Sequence, residues 1–123
     1  MSTYNEEKIF EKAHRNGTVL TPVPEELTIN WEAGGGFFFN EVFDGHSLLW
    51  VPVLMETFNE VIPEENWLVD DPGVLYSDNP DLEEAEESPV PLERMQEAAD
   101  LALSHYAMLY ERLVAAGHSV DEI

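Results

Sequence analysis

Phe37-Phe38-Phe39-Asn40-Glu41-Val42-Phe43-Asp44-Gly45-His46-Ser47-Leu48-Leu49-Trp50-Val51-Pro52-Val53 sets two apolar runs on either side of an Asp-Gly pair, the short-range pattern of a β-hairpin with a two-residue turn. A turn at Asp44-Gly45 defines a register in which Phe43 faces His46, Glu41 faces Leu48, Asn40 faces Leu49 and Phe39 faces Trp50. The last is an aromatic pair of the kind that stabilises antiparallel ladders. Phe37, Phe39 and Phe43 then share one face, and Phe38, Val42, Leu49 and Val51 share the other, so neither face reads as fully solvated. One face is expected to pack on helices, and the other to be covered as well or to form an apolar contact surface.

Working outward, Leu27-Thr28-Ile29-Asn30-Trp31 alternates like a strand, and Gly34-Gly35-Gly36 breaks it. Upstream, Thr3 followed by Glu6 has the spacing of a capping box, Ile9, Phe10 and Ala13 supply an apolar stripe, and Asn16-Gly17 ends a first helix. Thr21-Pro22-Val23-Pro24 reads as an extended linker, because each proline biases its predecessor away from the helical region. Downstream, Pro52 is placed to start a short middle helix with Leu54, Phe58, Val61 and Ile62 as its stripe, Glu56 and Glu60 pointing away and Pro63 as its stop. Residues 66–69 and 74–76 read as two extended pieces around Asp70-Asp71-Pro72-Gly73, a turn composition that makes a second hairpin. Residues 77–90 form an acidic, proline-interrupted loop.

From Pro91 to Ala116 the pattern is that of one long helix ended by Gly117. Leu92, Met95, Ala99, Ala102, Tyr106, Leu109 and Leu113 follow a 3-4 spacing, widened by Leu103 and Tyr110 into the broad face of a helix packed on a core. Leu101 and Met108 fall outside that face, seven residues apart, and could seed a homodimer. Ser119 with Glu122 resembles the start of another helix, but with the chain ending at Ile123 it is expected to fray. The expected architecture is α+β over residues 1–123: a small antiparallel sheet built on the central hairpin, packed by the long C-terminal helix and by shorter N-terminal and middle helices.

Charge points to function. The 123 residues carry 26 Asp and Glu against five Lys and Arg, a formal charge of -21. From Asn16 to Glu93 there are eighteen carboxylates and neither a lysine nor an arginine. Surface acids are ordinarily interleaved with bases, since a one-signed surface repels itself. Duplex DNA carries a phosphate per roughly 1.7 Å of axis, so eighteen carboxylates match about 30 Å of duplex, close to the width of a domain of this length. Direct binding to nucleic acid or to an anionic membrane is disfavoured, because both need a basic patch. The partner expected is a basic protein.

Chemistry finds little support. The chain has no cysteine, which removes disulfides, thiol nucleophiles and Cys-type metal sites. Glu11-Lys12-Ala13-His14 has the spacing of one di-iron half-site, but no second copy exists. His14, His46, His105 and His118 fall in separate elements, so no shared constellation is expected. Asp78-Asn79-Pro80-Asp81 lacks the ligand spacing and turn glycine of an EF-hand, and Gly34-Gly35-Gly36 lacks the lysine of a phosphate loop. With so many acids, some pair will stand at glycosidase distance by chance. Hence no catalytic residue, metal or cofactor is expected. The opening residues have no apolar stretch and no run approaches the roughly 18 residues of a membrane span, so the cytoplasm is the expected compartment.

In charge and length the chain resembles the small DNA-mimic inhibitors encoded by phages and plasmids, such as anti-restriction and anti-CRISPR proteins. That resemblance carries no residue over. It implies a decoy that occupies the nucleic-acid cleft of a restriction enzyme, CRISPR effector, nuclease, repressor or histone-like protein. The partner-binding residues expected are Asp70, Asp71, Asp78, Asp81, Glu83, Glu84, Glu86 and Glu87, with Glu56, Glu60, Glu64 and Glu65 as a second group. Two other readings stand beside it. An immunity protein or antitoxin would mask a basic toxin through an aromatic anchor ringed by acids, for which Phe37, Phe39, Trp50 and Trp67 are candidates. An acidic accessory protein would carry its charge as a solvated surface with no such target.

Overall fold

The computed structural model describes residues 4–17, 20, 22–32, 36–39, 47–63, 66–70, 74–77 and 90–120. They form an α+β fold of three helices, α1 (Glu6–Arg15), α2 (Ser47–Val61) and α3 (Leu92–Ala115), with four strands, β1 (Ile29–Glu32), β2 (Gly36–Phe39), β3 (Trp67–Asp70) and β4 (Val74–Ser77). The sheet is antiparallel throughout, in the order β1-β2-β4-β3, so two sequential hairpins meet along β2 and β4. Strand register puts Ile29 opposite Phe39, Trp31 opposite Phe37, Phe37 opposite Leu75 and Val69 opposite Leu75. With Trp67, these residues make the sheet face that the helices cover.

The central hairpin expected at Asp44-Gly45 does not form. Residues 47–53 are the first half of α2, residues 40–46 lie outside the described residues, and Phe39 faces Ile29 rather than Trp50. Trp50 instead stacks on Tyr106 of α3, ring centroids 3.9 Å apart and 7° from parallel. The physical reason is burial on most sides of one helix. Leu49, Trp50, Val53, Leu54, Thr57 and Phe58 are buried, while Val51, Pro52, Met55, Glu56 and Val61 are half-covered. A helix with so little solvent face shows no polar stripe, and a continuous apolar run suits strand or helix alike. Pro52 lies inside α2 and does not start it.

The second hairpin is present as expected, with Asp70 paired to Val74. Its edge strand is tied to α2 by one amide: Asn59 Oδ1 accepts from Trp67 N at 2.8 Å, and Asn59 Nδ2 donates to Trp67 O at 3.2 Å and to Met55 O at 2.9 Å. The indole of Trp67 donates to Ile62 O at 3.0 Å, and Arg94 Nη2 donates to Val61 O at 3.3 Å. The end of α2, where carbonyls lack helical partners, is therefore capped by an aromatic N–H and a cation that suits the negative end of the helix dipole. At the opposite sheet edge, Gln96 of α3 donates to Leu27 O at 2.7 Å and accepts from Ile29 N at 3.2 Å. Both edges of the sheet are held by side-chain amides from the helical layer.

The long helix follows its pattern closely: Met95, Ala98, Ala99, Ala102, Tyr106, Leu109 and Leu113 are buried, and Leu103 and Tyr110 pack half-covered at the margins. Leu92 departs from it, at 45% exposure in the first turn. Helix α1 packs against both α2 and α3. Its cap is Asn5, whose Oδ1 accepts from Lys8 N at 3.1 Å, and not Thr3. The reason is tertiary. Tyr4 is drawn onto His105 with centroids 3.8 Å apart, and Tyr4 N and Asn5 N donate to Glu60 and Glu56 of α2. Helical geometry therefore begins after Asn5, and Glu6 falls in the first turn, where it pairs with Arg112 at 3.0 Å.

Two long-range contacts lie beyond any local pattern. Leu20 N donates to Ser119 O at 2.9 Å, and Leu20 and Val120 form a parallel bridge, while Glu122 lies outside the described residues. His14 and His118, 104 residues apart, do share a constellation, with His14 Nδ1 2.8 Å from His118 Nε2. Sequence spacing could not bring them together because each follows its own helix to its C-terminal end.

Candidate acidic interaction surface

The acids expected to bind a partner divide into three sets. Asp71, Asp78, Asp81, Glu83, Glu84, Glu86, Glu87, Glu64 and Glu65 lie outside the described residues. Asp70 ends β3. Glu56 and Glu60 have internal roles: Glu56 Oε1 accepts from Asn5 N at 3.1 Å, and Glu60 Oε2 accepts from Tyr4 N at 3.3 Å. Partial burial raises the Glu56 carboxyl above its ordinary value, while the Asn5 N–H and the Lys8 charge pull it back. These two carboxylates hold the segment before α1 against α2.

A more regular acidic feature lies on α3. Glu93, Glu97 and Asp100 are exposed at i, i+4 and i+7, so they stand on one line of the helix, and Glu111 lies on its continuation. At 1.5 Å of rise per residue, Glu93 and Glu97 are offset by about 6 Å along the axis, Asp100 follows after about 4.5 Å, and Glu111 lies about 27 Å from Glu93. These are the axial intervals of one to two nucleotides on a DNA strand, where phosphates advance ~3.4 Å each. Asp100 is held in place, since Gln96 Nε2 donates to its Oδ1 at 3.0 Å while also gripping the Leu27 carbonyl. Glu25 and Glu26, both exposed, stand immediately before Leu27. The clamp that fixes β1 to α3 therefore holds the segment that follows Glu25 and Glu26 against the helix.

Four of the five cations lie elsewhere; the fifth, Arg94, stands on α3 beside Glu93 and donates to Val61 O. Lys8, Lys12 and Arg15 are on α1. Arg112 turns towards the same helix, with Nη1 3.0 Å from Glu6 and 2.9 Å from Glu7, and its guanidinium 4.2 Å above the Phe10 ring. Lys8 and Lys12 also border a cleft of about 320 Å³ between α1 and α2, floored by Ile9, Val51, Pro52 and Met55. Charge is thus unevenly distributed along the described surface: four bases on α1 and its contact with the end of α3, and acids on the outer face of α3 from its first turn, where Arg94 turns to the end of α2.

The aromatic anchors expected of an immunity protein are occupied by the core. Phe37, Trp50 and Trp67 are buried, and Phe39 packs edge-on against Phe58 at 6.0 Å. Phe37 and Trp67 meet edge-on at 5.7 Å.

One buried polar cluster has the residue types of a catalytic site. Thr57, fully buried, has its Oγ1 2.9 Å from His105 Nδ1, and Tyr4 lies flat on the imidazole. Burial lowers the His105 pKa from its ordinary value, against the pull of Glu60 and Glu6. Burial, with the charges of Glu6 and Glu56, raises the Tyr4 hydroxyl. The cluster is therefore held neutral. Tyr4 covers the ring and Thr57 engages one nitrogen, an arrangement that joins α1, α2 and α3. Among the described residues, no three His, Cys, Asp or Glu side chains converge as a metal centre, and no helix is long and apolar enough to cross a membrane.

The acidic line on α3 was legible in principle: Glu93, Glu97 and Asp100 repeat opposite the apolar stripe of the same helix. In the sequence it is overshadowed by the denser acids of residues 77–90. Comparison with protein-family models, curated proteins and solved structures finds no match for this chain.

Proposed function

We propose that this protein is a non-enzymatic acidic inhibitor of the cytoplasm that acts as a nucleic-acid decoy, lodging its acidic face in the basic cleft of a nucleic-acid-binding protein. The observation that carries the reading is the uneven charge. An ordered line of carboxylates on α3, joined by Glu25 and Glu26 and preceded in the chain by the acids of residues 77–90, has one base among its members, Arg94, and that guanidinium donates to Val61 O at the end of α2. Such an array offers a cationic groove the same partner that a phosphate strand offers. It would associate fast through long-range steering and weaken steeply with salt. Burial of Phe37, Trp50 and Trp67 favours this reading over an immunity protein anchored by one aromatic side chain.

The test is capture from a host lysate at low salt, elution by rising salt, and an assay of whether the eluted protein loses its nucleic-acid binding when this chain is added. A basic nuclease, CRISPR effector, restriction enzyme or repressor that is inhibited competitively is the expected result. The variant Glu93→Gln/Glu97→Gln/Asp100→Asn should inhibit more weakly and show a shallower salt dependence. Undiminished inhibition by that variant, or an eluted partner that binds nucleic acid equally well in the presence of the chain, overturns the proposal.

A further inference from the structure

We propose that the cleft between α1 and α2 is a binding site for a medium-chain aliphatic carboxylate, independent of the acidic face. Its two walls differ in chemistry. Helix α1 contributes Lys8 and Lys12, one turn apart, and α2 contributes Val51, Pro52 and Met55, with Ile9 buried at the base. At i and i+4 the two lysines rise from one face of α1, about 6 Å apart along its axis, close enough for their flexible stems to bring both ammonium groups to a single carboxylate. Arg15 extends the same line at i+7. All three bases are exposed, and neither lysine is ion-paired among the described residues. On the opposite wall Val51, Pro52 and Met55 are half-covered, and they offer hydrocarbon and an adaptable thioether.

Size and field select the ligand. A net charge of -21 repels an acidic protein or a nucleic acid as a whole, whereas a small anion inside the cleft feels chiefly the charges within a Debye length of about 8 Å. There the lysines stand nearest. A bare anion such as phosphate would leave the apolar wall wet, and a neutral hydrocarbon would leave both ammonium groups unused. The volume of about 320 Å³ falls at the lower end of small-ligand sites and suits one short chain rather than a two-chain lipid. Glu56 also lines the cleft. Its carboxylate accepts from Asn5 N at 3.1 Å and is stabilised by the Lys8 charge. Lys8 is therefore partly neutralised from within, and Lys12 becomes the principal partner of the ligand's head group.

The test titrates the whole chain with octanoate and decanoate below micelle formation, followed by methyl NMR and calorimetry. Decanoate should shift the methyl signals of Ile9, Val51 and Met55 and leave those of Leu101 and Met108, exposed on α3, unmoved. The two extra methylenes of decanoate should tighten binding about 4- to 15-fold, for half to full burial of each. Lys12→Gln should weaken decanoate about 2- to 5-fold, the range of a partly exposed ion pair, and Lys8→Gln by less. Glu56→Gln keeps an oxygen for Asn5 N and removes the rival charge, so it should tighten binding. Decanol should bind more weakly than decanoate and ignore both lysine substitutions. Equal affinity for decanol and decanoate overturns the proposal, as does an unchanged decanoate affinity in Lys8→Gln/Lys12→Gln. Shifts centred on α3, or binding to anionic vesicles without binding to monomeric decanoate, would assign the ligand to another surface and sink it equally.

Discussion

Helices α2 and α3 pack on one another and on opposite halves of the same sheet, yet only one of them announces itself. Helix α3 has a solvent face, so its apolar residues recur every three or four positions and its acids fill the gaps. Helix α2 lies between α1, α3 and β3 and has little solvent face. Its residues 47–54 are apolar after the first, and Trp50 and two valines favour strand. The difference teaches that periodicity measures the contrast between water and core. A segment that meets core on most sides carries no such contrast, whatever its backbone does.

The comparison can be broken at its strongest point. Phe58 of α2 is fully buried among Phe39 and Trp67, so Phe58→Ala should cost about 3–5 kcal/mol in denaturant unfolding. Leu92→Ala, on the exposed first turn of α3, should stay within ~0.5 kcal/mol. A small effect at Phe58 would mean that α2 does not pack as described. Pro52 gives the opposite sign. It lacks the N–H that would bond Leu48 O one helical turn earlier, so Pro52→Ala should stabilise by about 1–3 kcal/mol. Destabilisation there would return the segment to a non-helical reading.

Thr57→Val removes the buried partner of His105 and should cost about 1–3 kcal/mol. The same pair sets a pH dependence. Burial holds His105 below its ordinary value, so the folded chain binds its proton less readily than the unfolded chain. The stabilisation is fully present above the unfolded pKa of about 6.5 and is lost as pH falls through the lower folded value. Glu56, raised by burial, works in the reverse direction, its contribution being lost as pH rises through the folded value. Thermal melts of His105→Gln against the parent isolate the histidine: the stability gap between them should change below pH ~6.5 and stay flat above it. The smallest effect belongs to the acidic line. Glu93→Gln/Glu97→Gln/Asp100→Asn should alter stability by no more than ~0.5 kcal/mol, in the stabilising direction, because it relieves like-charge repulsion at helical spacing. A large loss would make those acids structural.

Elements with a local signal were readable. The buried face of α3, the end of α1 at Asn16-Gly17, the strand at Ile29 and the hairpin from Trp67 to Ser77 each carry a pattern, a cap or a turn within a few residues. The start of α1 was not, because Tyr4 is held by His105, 101 positions away in sequence. Nor were the internal roles of Glu56 and Glu60, which look like solvated acids until Asn5 and Tyr4 arrive. For the candidate surface, the quantity of charge was plain from composition, whereas its placement on α3 depends on which side of that helix meets the core.

By itself the amino-acid sequence determined the α+β class, the long C-terminal helix with its apolar stripe, and a large excess of carboxylates. Those properties follow from side-chain chemistry and short-range periodicity. Only tertiary structure decided that residues 47–53 coil instead of pairing with Phe37–Phe39, that two of the expected surface acids hold the N-terminal segment, and that His14 meets His118. Each of those outcomes is a contact between residues far apart in the chain. Long-range burial supplies more free energy than the local preferences it overrides.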